Sequence, residues 1–153
     1  MTDYKKNIAQ NKKAYFEYFI EEKFEAGIIL TGSEVKSIRA GKITIADTHA
    51  ALDKGELYLY NCHIAEYEQA GRFNHDTKRS RKLLLRRKEM QKIIGKIKLK
   101  GYTLIALAFY FNAKNLIKLE LGLAKGKKLY DKRQSIKEKD WQREQAITMR
   151  NKR

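Results

Sequence analysis

The stretch "YTLIALAFYFNAKNLIKLELGLA", residues 102–124, decides the fold. Its two apolar and aromatic runs read as strands, and the "NAKN" between them has the composition of a short turn. Toward the N-terminus, Leu83, Leu84 and Leu85 form a short apolar strand in "KLLLRRKEMQKIIGKIKLKG". Met90, Ile93, Ile94 and Ile97 then fall on one side of a helix whose other side is lysine and arginine. Earlier still, "DKG" divides "KITIADTHAALDKGELYLYNCHI" into two alternating runs, the pattern of a hairpin. In "TGSEVKSIRAG", Thr31 and Glu34 make a capping box, Val35 and Ile38 share a face, and Gly41 supplies a stop, which predicts a helix of about two turns. Residues 14–30, "AYFEYFIEEKFEAGIIL", read as one long bent strand or two, and residues 1–10 as a flexible start. About six strands without a βαβ rhythm predict a mainly β protein, an antiparallel barrel or curved sheet with a few short helices. The chain contains no proline, which removes one of the usual markers of turns.

Length fits one packed domain, over residues 1–124, plus a tail over residues 125–153. The formal charge of +16 is distributed unevenly. Residues 1–71 carry nine Lys/Arg against eleven Asp/Glu, residues 72–100 twelve against two, and residues 124–153 eleven against four. Two separated cationic blocks suit a polyanion, because every phosphate neutralised releases condensed counterions. An anionic membrane would favour a basic amphipathic helix with a broad apolar face, and neither block has one. There is no apolar run of membrane-spanning length, and "MTDYKKNIAQNKKAYF" lacks the apolar core of a secretory signal, so a cytosolic protein is expected. Cys62 is the single cysteine, which excludes a disulfide framework and a thiolate zinc site.

No catalytic constellation assembles. His49, His63 and His75 are scattered without metal-ligand spacing, and neither Gly-x-Gly-x-x-Gly nor a phosphate-loop motif occurs. Glu21, Glu22 and Glu25 could share acid–base work on a strand but are far more commonly solvent-facing positions. Neither an enzyme nor a cofactor or small-molecule substrate is expected.

The loop and strand "RFNHDTKRSRKLLLRRK" offer Arg72, Lys78, Arg79, Arg81, Lys82, Arg86, Arg87 and Lys88. Arginine forks suit phosphate oxygens and stack on bases. Phe73 and His75 lie among them and could stack on unpaired nucleotides; the alternative is a solvated loop with Phe73 as its core anchor. In the tail, Ser135 and Glu138 form a second capping box, so a helix beginning near Ile136 is locally encoded. Its apolar residues, Ile136, Trp141, Ala146, Ile147 and Met149, are too few to hold it against a core. The reading is a segment disordered when free that becomes helical on an RNA or ribonucleoprotein partner.

The blocks "EYFIEEKFEAGIILTGSEVKSIRAGK", "NHDTKRSRKLLL", "KGYTLIALAFYF" and "LAKGKKLYDKRQSIKEKDW" are similar, in this order, to the signature blocks of the SsrA-binding protein (SmpB) family, from about Asn11 to the C-terminus. The resemblance implies a bacterial cytoplasmic protein with an oligonucleotide-binding (OB-type) barrel and an unstructured basic tail. It implies binding to the tRNA-like domain of transfer-messenger RNA (SsrA RNA), in place of an anticodon arm, and delivery to stalled ribosomes for trans-translation. The tail would enter the empty mRNA channel at the small-subunit decoding site and fold there. Carried over residue by residue, the RNA-binding set is Asn11, Lys12, Glu25, Lys36, Arg39, Lys42, Arg79, Arg81, Lys82, Leu84, Lys125, Gly126, Lys127 and Lys128. The ribosome-contacting tail set is Tyr130, Asp131, Lys132, Arg133, Ile136, Lys137, Trp141 and Met149. Tyr130 stands where several members have histidine. Thr77 and Ala106 stand where the family usually has proline, which implies a less constrained loop with no charge or stacking residue lost.

A second reading is a generic single-strand-binding barrel, in which aromatics on a sheet face stack on successive bases without shape selection. Preference for structured tRNA-like RNA over a homopolymer separates the two. A nuclease or RNA-modifying enzyme is a third class, which only cleavage or alteration of RNA would support.

Overall fold

A computed structural model describes residues 6–99, 101–126 and 140–145. Strands β8 (Tyr102–Phe111) and β9 (Ile117–Gly126) form the predicted long hairpin, paired over their whole length. The turn is held by Asn112, whose Oδ1 accepts the backbone N–H groups of Lys114 (3.0 Å) and Leu116 (2.9 Å). Asn115 takes the left-handed conformation there, at φ 62°, which its short polar side chain tolerates.

The remaining strands are β1 (Lys6–Gln10), β2 (Tyr18–Ile28), β3 (Ile43–Thr44), β4 (His49–Asp53), β5 (Glu56–Tyr60), β6 (His63–Ile64) and β7 (Arg81–Leu84). All pairings are antiparallel. Hydrogen bonding runs β8–β4–β5–β7–β2–β9 and returns from β9 to β8, which closes a barrel of the oligonucleotide-binding type and leaves no open edge within the ring. β3 and β6 form a separate two-stranded ribbon. The β4–β5 hairpin turns at Lys54 and Gly55, both at positive φ, as the twist of a two-residue hairpin demands.

The barrel interior is filled by Phe24, Leu57, Leu59, Leu104, Phe109, Leu119 and Leu121, with Ile38 and Ile93 packed in from helices. These helices are α2 (Gly32–Arg39) and α3 (Arg87–Ile97). α2 starts at the predicted capping box, in which the Thr31 side chain accepts from the Glu34 N–H and the Glu34 carboxylate accepts from the Thr31 N–H. It ends before Gly41, at φ +76°. α3 buries Ile93 and is held to β2 by Lys92–Glu22 (2.6 Å) and Lys96–Glu21 (3.8 Å) ion pairs.

Two N-terminal expectations are corrected. Residues 14–30 are not strand throughout: Ala14–Glu17 is a short helix, α1, followed by β2. The outer face of β8 explains this, because Ile105 and Leu107 would be solvated there unless Ala14, Tyr18 and Ile20 covered them. Residues 6–10, read as part of a flexible start, pair with β8 as β1. That edge of β8 carries β4 over Leu104–Ile105, bulges near Leu107, and then carries β1. Bulges of this kind let one strand exchange partners.

Candidate nucleic-acid interface

The interface is organised by a buried carboxylate. Glu34 Oε1 accepts from Arg79 Nη2 (2.6 Å) and from the Thr31 N–H (2.8 Å), while Oε2 accepts from Arg81 Nε. Arg81 spends its other donors on the carbonyls of Cys62 (2.8 Å), Asp76 (3.4 Å) and Thr77 (3.3 Å). Both Glu34 and Arg81 are 0 % exposed. Burial pushes the Glu34 carboxyl upward, but the bonds from Arg79, Thr31 and Arg81 together outweigh it and hold the group below its ordinary value. Burial also pushes the neighbouring Cys62 thiol up to about 12, so it stays protonated at neutral pH.

Arg81 is therefore corrected from an RNA ligand to a structural residue: it is fully buried, each of its three guanidinium nitrogens is bonded inside the protein, and it cannot reach a phosphate. Asn11 differs from Arg81: it is largely buried yet lines the surface depressions beside α1. Its side chain is positioned by Nδ2, which donates to the Ala106 carbonyl (3.1 Å), and by Oδ1, which accepts from the Ala14 N–H (3.3 Å). His75, considered as a stacking residue, is also buried. Its Nε2 faces the Ile64 carbonyl (2.9 Å), which only accepts, so Nδ1 is left to take the Ser33 hydroxyl proton (2.8 Å). His75, not Phe73, is thus the anchor of the 65–80 segment, and Phe73 stands 75 % exposed.

Other predicted residues are brought together. Gly27 of β2 pairs with Leu84 of β7, so Glu25 and the half-exposed Leu84 line one depression of about 510 Å³ with Gly27, Arg86, Glu89 and Lys118. Tyr110 donates its hydroxyl to Glu25 Oε2 and orients that carboxylate. Lys36, Arg39 and Lys42 are exposed on α2 and just beyond it. Lys12 is exposed beside α1. Lys125 lies over the Tyr102 ring (5.9 Å) at the end of β9, opposite Phe19. Gly126 pairs with Tyr18 where the described part of the barrel stops.

Apart from Arg72, which lies over the Phe73 ring, the cations of residues 72–99 divide into two groups. Arg79, Arg81, Lys82, Lys92 and Lys96 are engaged by Glu34, Glu56, Glu22 and Glu21. Lys82, predicted to hold RNA, sits 2.9 Å from Glu56, and this contact pulls the Glu56 carboxyl down and the Lys82 ammonium up from their ordinary values. Lys78, Arg86, Arg87, Lys88 and Lys98 have no carboxylate partner among the described residues. Arg86 to Lys88 stand at the start of α3, at the positive end of its dipole, where cations are unfavourable alone and a phosphate would be drawn by both. Charge counting could flag this block but not its division, because an ion pair between residues such as 34 and 81 exists only after folding.

Of the tail residues, Trp141 lies in a helical stretch, 140–145, whose side chains are all exposed. Lys127, Lys128, Tyr130, Asp131, Lys132, Arg133, Ile136, Lys137 and Met149 lie outside the described residues. No helix among the described residues is long and apolar enough to cross a membrane.

Comparison with known proteins agrees with this arrangement. The model of the family described as SmpB protein matches residues 8–151. An SsrA-binding protein of Rickettsia canadensis (strain McKiel) is 69 % identical over 152 residues, covering 99 % of this chain and 100 % of that protein. One from Rickettsia conorii (strain ATCC VR-613 / Malish 7) is 66 % identical with the same coverage. A chain of a solved structure, described as "tmRNA-SmpB: a journey to the center of the bacterial ribosome", is 44 % identical, with a TM-score of 0.67 over 84 % of this chain and 93 % of that one. A closed antiparallel barrel with an unpaired cationic flank, matched from end to end by these relatives, places this chain in the SmpB protein family.

Proposed function

We propose that this protein is the RNA-binding adaptor of ribosome rescue: it binds the tRNA-like domain of transfer-messenger RNA and brings it to stalled ribosomes for trans-translation, without catalysing a reaction itself. The observation that carries this reading is the near-complete match to SsrA-binding proteins at 66–69 % identity. The fold supplies a physical basis. A closed barrel is rigid, so the depression at Glu25 and Leu84 and the unpaired cations at the start of α3 keep fixed spacings and can select a folded RNA by shape. A ribosomal partner puts its place of work in the cytoplasm.

The division of labour follows the charge blocks. The RNA-gripping body runs to Gly126, because β9 carries the barrel two residues past the boundary expected at 124, and the tail that follows becomes helical from about Ile136 when it meets the decoding site and the empty mRNA channel. Lys125 to Lys128 contribute to RNA binding where the two meet, and Tyr130 to Arg133 with Ile136, Lys137, Trp141 and Met149 face the ribosome. A segment that completes its helix only on arrival, beyond the short turn at 140–145, can thread a narrow channel that a full ready-made helix could not enter. mRNA in that channel would exclude it.

Deletion of residues 131–153 tests this. RNA affinity should stay within a few-fold of the intact protein while rescue of stalled ribosomes is lost. Equal loss of both would refute the division. In the same binding assay at physiological salt, tRNA-like RNA should outcompete a homopolymer; a result the other way would favour a generic single-strand-binding barrel.

A further inference from the structure

The loop between β6 and β7 carries an ordered cation–aromatic surface. Residues Glu68–Phe73 form a 3-10 turn that kinks at Gly71 (φ 56°, ψ −123°). Asn74 closes the loop like a bracket: its Oδ1 accepts the Tyr67 N–H (2.8 Å), and its Nδ2 donates to the Tyr67 carbonyl (2.8 Å) and the Gly71 carbonyl (3.2 Å). His75 then ties the loop to α2 through Ser33. On this frame the Arg72 guanidinium lies 5.0 Å from the Phe73 ring centroid, and Lys36 of α2 lies 5.4 Å from that of Tyr67.

We propose that this loop is a base-stacking platform, in which Phe73 and Arg72, beside the Lys36–Tyr67 pair, take an unpaired nucleotide of the same RNA that the barrel holds. A ring left 75 % exposed on a loop fixed by three side-chain bonds contributes nothing to the core, whereas an aromatic face with a guanidinium stacked on it is a surface that bases favour. Charge supports an RNA occupant. Exposed Lys36, Arg39 and Lys42, on α2 and just beyond it, and exposed Lys78, four residues after Asn74, have no carboxylate partner for their side chains among the described residues. The platform is tied through Ser33 to the start of α2, just beyond one end of β2, while Gly126 pairs with Tyr18 at the other end of that 11-residue strand. It therefore belongs to the body's grip on RNA and not to the point from which the tail departs.

The inference rests on the proposed function, and the test separates the two. Purified transfer-messenger RNA, without ribosomes, is titrated with the intact protein, with Phe73→Ala and with Arg72→Ala. Phe73→Ala should weaken binding about 5- to 100-fold with little change in salt slope, and Arg72→Lys should recover less than the charge it restores, because lysine does not stack. Phe73→Trp in a Trp141→Phe background should show quenched fluorescence on binding. Since Phe73 is exposed, the melting temperature should not move. If intact protein fails to prefer this RNA over a homopolymer, the proposed function falls. If it does prefer it and Phe73→Ala binds equally well with no quenching in the tryptophan variant, the platform falls. A defect seen only when ribosomes are present would likewise overturn it, by placing the occupant in ribosomal RNA.

Discussion

Glu34 shows how one residue can answer to two levels of structure. Locally it closes a capping box, a role visible in four residues of sequence; globally it is the counter-ion for two arginines more than forty positions away. Removing its charge leaves Arg81 buried without compensation, so Glu34→Gln should destabilise the fold by about 3–5 kcal/mol in chemical denaturation at neutral pH. The pH dependence carries its own sign. The folded carboxyl titrates below its ordinary value, so its stabilisation is full at and above the ordinary carboxylate range and is lost only as pH falls through the depressed folded value. Glutamine has no such proton to take up, so the gap between the two proteins should narrow in acid. A gap that stays constant down to low pH would show that the ion pair is not its source.

Among the elements, the β8–β9 hairpin is the most legible, and it is tightly packed at Gly122. A Cβ at Gly122 would meet Leu107 Cδ1 at 2.8 Å, Leu107 Cγ at 3.1 Å and Ile20 Cγ2 at 3.3 Å, within the cluster that covers the outer face of the barrel. Gly122→Ala should therefore cost about 1–3 kcal/mol, measured by urea denaturation. In α3, Gly95 has nothing within 4 Å of a built Cβ and sits in regular helix, so Gly95→Ala should be neutral or stabilising by up to about 1 kcal/mol. The contrast matters because both glycines look alike in sequence, each within an apolar-patterned run. Only the neighbour across the sheet separates them.

At the scale of the whole molecule, the relevant quantity is the charge left unpaired, not the charge present. Replacing Arg86, Arg87 and Lys88 with alanine should lower the salt slope of RNA binding by about one unit for each phosphate that is no longer neutralised, with stability unchanged. Replacing Arg81 should do the reverse, lowering stability while the folded fraction keeps its slope. Titration of binding against salt concentration, paired with thermal melts, distinguishes the two outcomes.

Hydrophobic periodicity, turn residues and capping signals are properties of a few consecutive residues, and they sufficed for the strand hairpins, α2, α3 and the mainly β class. The ordered family blocks likewise pointed to an RNA partner without any coordinates. Ring closure, the short helix at Ala14–Glu17, β1 on the bulged edge of β8, and the burial of Asn11, His75 and Arg81 were decided only in three dimensions. Each depends on which distant groups meet. A polar side chain looks the same in one dimension whether it will face a phosphate or a buried carboxylate, and desolvation, which separates those two fates, is created by folding itself.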